Sequence, residues 1–88
     1  MIELLDFYAD WCGPCKVMEP TLEEAEKTLS GQVAIKKIDV DTDNETAVQY
    51  GVMSIPTYII LKDGQEIDRM IGAQPKDEFL GKITSHLS

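Results

Sequence analysis

Cys12 and Cys15, the two cysteines of this 88-residue chain, are the residues whose type and spacing best fit chemistry. They stand in Trp11-Cys12-Gly13-Pro14-Cys15-Lys16, between a short apolar run and a long helical pattern. A cysteine at the start of a helix faces unpaired backbone N–H groups and the positive end of the helix dipole. Both favour a thiolate, so the Cys12 pKa should fall and its reactivity rise. Cys15 comes one turn later, within disulfide reach and more covered by the helix. An exposed nucleophile beside a buried resolver is what thiol–disulfide exchange needs. So small a loop restrains the unfolded chain little, which makes a structural bridge a poor explanation of the pair. The other readings are half of a zinc site and an inert pair. A tetrahedral zinc needs four ligands, and outside the pair only His86 is a typical nitrogen donor. The strand-to-helix placement favours redox chemistry.

The elements that must position these cysteines follow from pattern. Residues 3–8 read as a strand covered on both faces, running directly into the cysteine loop. Asp6 interrupts the apolar Leu4-Leu5-Asp6-Phe7, where burial should raise its carboxyl pKa. A helix is expected from about Pro14 to Leu29, with Met18, Leu22, Ala25 and Leu29 on one stripe. Pro14 suits its first turn, Pro20 should kink it, and Ser30-Gly31 ends it. Val33–Val40 reads as a second strand and Asn44–Tyr50 as a short helix capped by Asp43 or Asn44. Thr57–Lys62 and Gln65–Ile71 form a hairpin around Asp63-Gly64. Pro75–Leu87 closes the chain as a helix burying Phe79, Leu80, Ile83 and Leu87. The order β-α-β-α-β-β-α predicts one α/β domain over residues 1–88. It has a mixed four-stranded sheet with helices on both faces.

Composition narrows the partners. Sixteen acidic against eight basic residues give a net charge of −8. Such a surface repels nucleic acid and anionic membranes, so neither is an expected partner. No run approaches the ~20 apolar residues of a membrane span. Met1-Ile2-Glu3-Leu4 lacks the basic and apolar regions of a signal peptide, so a cytoplasmic location is expected. Asp39-x-Asp41-x-Asp43 opens like a calcium loop. It then has Asn44 where glycine is needed and Tyr50 where glutamate is needed, and reads as a solvated acidic edge. His86, near the C-terminus, reads as frayed.

At its motifs the sequence resembles the thioredoxins. The matching segments are Trp11–Lys16, Asp6-Phe7-Tyr8-Ala9-Asp10, Ser54-Ile55-Pro56-Thr57, Lys62-Asp63-Gly64 and Ile71-Gly72-Ala73. The resemblance covers nearly the whole chain. The family's usual N-terminal strand and helix have no counterpart here, and Tyr8 stands where a tryptophan is usual. The likeness implies a thioredoxin-like fold and a cis Ile55–Pro56 peptide set against the cysteines. It implies that Asp6 lies beneath Cys15 and exchanges protons with it, with Lys37 moderating its charge. It implies a flat apolar docking surface from Trp11, Gly13, Pro14, Val40, Ile55, Pro56, Ile71, Gly72 and Ala73. The Ile55 backbone would pair with an extended substrate segment, and Gly72 would admit a close backbone approach.

The implied function is a protein-disulfide reductase without bound cofactor or metal. Its redox-active disulfide, Cys12–Cys15, would be recharged by an external thioredoxin reductase-type donor. Disulfide-containing target proteins are the expected partners, and a monomer is the expected state. Two rivals stand beside it: a glutaredoxin-like protein recharged by glutathione, and a binding module built on the same fold.

Overall fold

The computed structural model describes residues 1–87. Strand β1 (Ile2–Tyr8) is apolar and buried along most of its length, which places it inside the sheet. It pairs in parallel with β2 (Val33–Asp39) and antiparallel with β3 (Thr57–Lys62). Strand β4 (Gln65–Ile71) forms the outer edge beyond β3, giving the order β2-β1-β3-β4. The β3–β4 turn has Asp63 at φ 51° and Gly64 at φ 84°. Two consecutive left-handed residues are what a tight hairpin requires, and Asp-Gly supplies them at small steric cost. One irregularity interrupts the hairpin. Ile60 pairs with Asp68 and Leu61 with Glu66, so Ile67 is an unpaired bulge residue.

Successive side chains of a strand face opposite sides, so two cores form. On one side Ile2, Leu4, Tyr58, Ile60 and Met70 pack beneath Leu22 and Ala25 of α2 (Glu19–Thr28) and Phe79 and Ile83 of α4 (Lys76–Thr84). Tyr58 and Phe79 meet edge to face with ring centroids 4.9 Å apart. On the other side Leu5, Phe7, Ile59 and Leu61 are covered by Ala47 of α3 (Asn44–Gln49). Asp43 caps α3, its Oδ1 accepting the Thr46 N–H at 3.2 Å and its Oδ2 the Thr46 hydroxyl at 2.8 Å. Asp6 falls on the α2 side.

The expected helix over 14–29 is two helices, α1 (Gly13–Val17) and α2, separated at Met18. Pro20 has no N–H to offer the Lys16 carbonyl and its ring crowds that oxygen, so the kink becomes a break. The Met18 N–H closes α1 on the Pro14 and Cys15 carbonyls, both at 3.2 Å. The expected stripe of Met18, Leu22, Ala25 and Leu29 is nevertheless buried throughout. The last helix is shorter than the pattern suggests, and Leu80 and Leu87 are only partly buried against the core. His86 is not frayed: its Nε2 lies 2.9 Å from Asp68 of β4.

Candidate active site

β1 delivers the chain to the cysteine loop. The Cys12 N–H bonds the Ala9 carbonyl at 3.1 Å, and extended Cys12 (φ −84°, ψ 110°) caps α1. Its Sγ accepts the Cys15 N–H at 3.2 Å. Pro14 occupies the first turn, where an N–H would have no helical partner. The cysteines are joined as a disulfide with Cα atoms 5.3 Å apart. Both are buried in this state, Cys12 at 4% exposure and Cys15 at 8%. The expected contrast of an open and a covered sulfur is therefore absent from the oxidised form. The asymmetry lies in their surroundings. Cys12 Sγ sits on the helix cap, whereas Cys15 lines a cavity of about 440 Å³ together with Asp6, Lys16, Glu19 and Lys37.

Asp6 stands mid-strand, in register with Lys37 on one side and Tyr58 on the other. It is 6% exposed, and its side chain has neither a hydrogen bond nor an ion pair among the described residues. Burial pushes its carboxyl up to about 6. Lys37 opposes that shift and Glu26 adds to it. Lys37 is itself exposed and acts on Asp6 through its field rather than by contact. Glu26 was not singled out by pattern. It lies on α2 next to buried Ala25, so its charge is felt beneath the helix. Burial raises the Tyr58 phenol pKa as well, and the Asp6 charge raises it further.

The proposed docking residues divide by exposure. Trp11 is 69% exposed and Ile71 61%, and Gly13, Pro14 and Ala73 are exposed. Val40, Ile55 and Gly72 are half-buried, and Pro56 is buried. The Ile55–Pro56 peptide is cis. Two bonds hold it: the Thr57 hydroxyl donates to the Ser54 carbonyl at 2.7 Å, and the Gly72 N–H to the Pro56 carbonyl at 2.8 Å. Gly72 has φ +86°, and a Cβ built there would meet no atom within 4 Å. Its backbone angle, rather than crowding, is what calls for glycine. Trp11, Val40 and Ile55 share a groove of about 370 Å³ with Ala47, Val52 and Met53. Met53, 97% exposed, lines this groove and Asp41 accepts the indole N–H; pattern singled out neither for the candidate site.

The thioredoxin family model matches residues 2–85. The chain belongs to the thioredoxin family. It is 48% identical over 86 residues to the thioredoxin of Staphylococcus aureus, covering 98% of this chain and 83% of that one. A mutant thioredoxin of Halobacterium salinarum NRC-1 superposes with a TM-score of 0.91 at 38% identity, covering 99% of this chain and 75% of that one. The thioredoxin of Fasciola hepatica superposes with a TM-score of 0.89 at 39% identity, covering 97% and 80%.

As in other thioredoxins, the activity is thiol–disulfide oxidoreduction, and the protein is a protein-disulfide reductase with a Cys-x-x-Cys redox centre. The family match favours neither the glutathione-recharged reading nor the binding module. Among the described residues no three His, Cys, Asp or Glu side chains are grouped to hold a metal ion. No described helix is long and apolar enough to cross a membrane. Asp39 Oδ1 accepts the Asp41 N–H at 2.9 Å, while the Asp41 and Asp43 carboxylates accept from Trp11 and Thr46.

Proposed function

We propose that Cys12 attacks and Cys15 resolves. In the reduced protein the Cys12 thiolate displaces one sulfur of a target disulfide, forming a mixed disulfide and releasing one target thiolate. The Cys15 thiol then loses its proton and attacks Cys12 Sγ. That closes the Cys12–Cys15 disulfide and expels the second target sulfur as a thiolate, which is protonated. An external dithiol donor of the thioredoxin reductase type returns the two electrons, so no resident cofactor is required. The observation that carries this assignment is the Cys15 N–H donating to Cys12 Sγ at 3.2 Å. That donor stabilises negative charge on Cys12 and on no other sulfur.

Asp6 is the proton acceptor for Cys15. Its carboxyl, held near 6, shares a cavity with that residue and can take a proton close to neutral pH, where such help is most effective. Lys37 keeps the Asp6 pKa from rising further. Target segments dock across Trp11, Gly13, Pro14, Ile55, Pro56, Gly72 and Ala73, pairing with the Ile55 backbone. The protein acts as a monomer in the cytoplasm on disulfide-containing proteins. Insulin reduction with dithiothreitol as donor tests the whole reading. Wild type should accelerate it, Cys12→Ser should be inert, and Cys15→Ser should accumulate mixed disulfides. Full activity in Cys12→Ser would end the assignment.

A further inference from the structure

Edge strand β4 carries an ion pair that the redox chemistry does not use. Arg69 and Glu66 are three residues apart, a spacing that puts side chains on opposite faces of a regular strand. The bulge at Ile67 changes this. Arg69 pairs with Ile59 and Glu66 with Leu61, and Ile59 and Leu61 share the face covered by α3. Glu66 and Arg69 are therefore brought to that same face. The Arg69 Nε donates to Glu66 Oε2 at 2.7 Å and its Nη2 to Glu66 Oε1 at 2.8 Å. Nη2 also donates at 2.7 Å to the carbonyl of Tyr50, the residue that caps the C-terminus of α3.

Tyr50 is where the docking segment begins. From it the chain passes through Gly51 and Val52, whose N–H groups return to the Val48 and Ala47 carbonyls, and reaches cis Ile55–Pro56 five residues later. The far end of the segment is tied by the Thr57–Ser54 and Gly72–Pro56 bonds. The near end receives one bond from a charged side chain, and that bond crosses from the sheet edge. A charged donor to a carbonyl left over at a helix end is stronger than a neutral one. A two-point carboxylate contact fixes the plane of the guanidinium that makes it.

We propose that Arg69, oriented by Glu66, is a positioning residue that sets the near end of the 51–56 segment and hence the placement of the Ile55 backbone for target proteins. This rests on the docking role of Ile55 proposed above. Arg69 touches neither sulfur, and small disulfides do not need the docking segment. Its loss should therefore separate the two classes of substrate.

The test compares Arg69→Gln, Arg69→Lys and Glu66→Gln with wild type, using insulin and a small aromatic disulfide as substrates. Arg69→Gln is expected to raise KM for insulin roughly three- to tenfold, less than the full worth of one charged hydrogen bond because Arg69 acts through the backbone rather than on the target, with kcat and the small-disulfide rate unchanged. Arg69→Lys keeps a charged donor and should recover most of the loss. Glu66→Gln keeps the Arg69 donor but loosens it and should fall between. If Arg69→Gln does not fold, the ordering of wild type, Arg69→Lys and Glu66→Gln carries the same comparison. Hydrogen exchange should quicken at Gly51 and Val52 and stay unchanged in β1. Unchanged insulin KM in all three variants, equal losses on both substrates, or unchanged exchange at Gly51 and Val52 would overturn the proposal. Trp11→Ala separates it from the docking reading. A raised insulin KM there with none in Arg69→Gln removes the role of Arg69 alone, and no change in Trp11→Ala removes the docking reading itself.

Discussion

The Trp11 indole Nε1 donates to Asp41 Oδ2 at 2.8 Å, joining the residue before Cys12 to the loop after β2. An indole that is 69% exposed would otherwise swing freely, and this bond fixes the plane of its ring. Asp41→Ala should raise the mobility of Trp11, read as a fall in its fluorescence anisotropy. The bond is exposed, so the stability loss should stay below about 1 kcal/mol in urea unfolding. Unchanged anisotropy would mean that packing alone holds the ring.

Trp11, the single tryptophan, also reports the redox state. A disulfide beside it should quench its emission, and dithiothreitol should raise that emission. The Cys12→Ser, Cys15→Ser double variant should show no such rise. A rise that persists there would assign the signal to another group.

Cys12 Sγ is the capping acceptor of α1 in the disulfide form, and reduction frees it as a thiol. Iodoacetamide at neutral pH should then modify Cys12 well before Cys15, which peptide mapping will show. Earlier modification of Cys15 would reverse the two roles.

Asp6 should make stability fall between two pH values. Its folded pKa, about 6, lies above the unfolded value of 3.8, so the folded state holds the proton more tightly. Its burden is absent below about pH 4, grows as pH rises to about 6, and is level above that. Asp6→Asn should remove the slope and stabilise the protein at pH 7 by on the order of 2–3 kcal/mol, with little gain at pH 4. Urea unfolding across this range measures it. The same variant should slow resolution by Cys15 while sparing attack by Cys12, which rapid mixing with a model disulfide separates. A destabilised Asn variant with normal resolution would make Asp6 an ordinary strand residue.

What the sequence made legible was local. The Asp63-Gly64 turn, the strand limits at Thr57–Lys62 and Gln65–Ile71 and the Asp43 cap all depend on neighbours within a few positions. The cysteine pair and buried Asp6 were legible because each contradicts its surroundings. Features that depend on register were not. Trp11 and Asp41 are thirty residues apart, and Tyr50 and Arg69 nineteen. The Glu66–Arg69 alignment needs a bulge that no residue type announces. The burial of Cys12 in the disulfide form was not legible, because helix geometry locates a sulfur but not the packing of Ala9, Val40 and Ile55 around the cysteine pair.

The cavity beneath Cys15 and the groove beside Trp11 have no lining residue in common. On the roles proposed for Asp6 and for the docking residues, protons and protein substrates would use separate sides of the disulfide. A target seated in the groove leaves the passage to Asp6 and Lys37 open. By that proposal the proton given up by Cys15 would depart to solvent while the covalent partner is still attached, and release of the target would not wait for proton release.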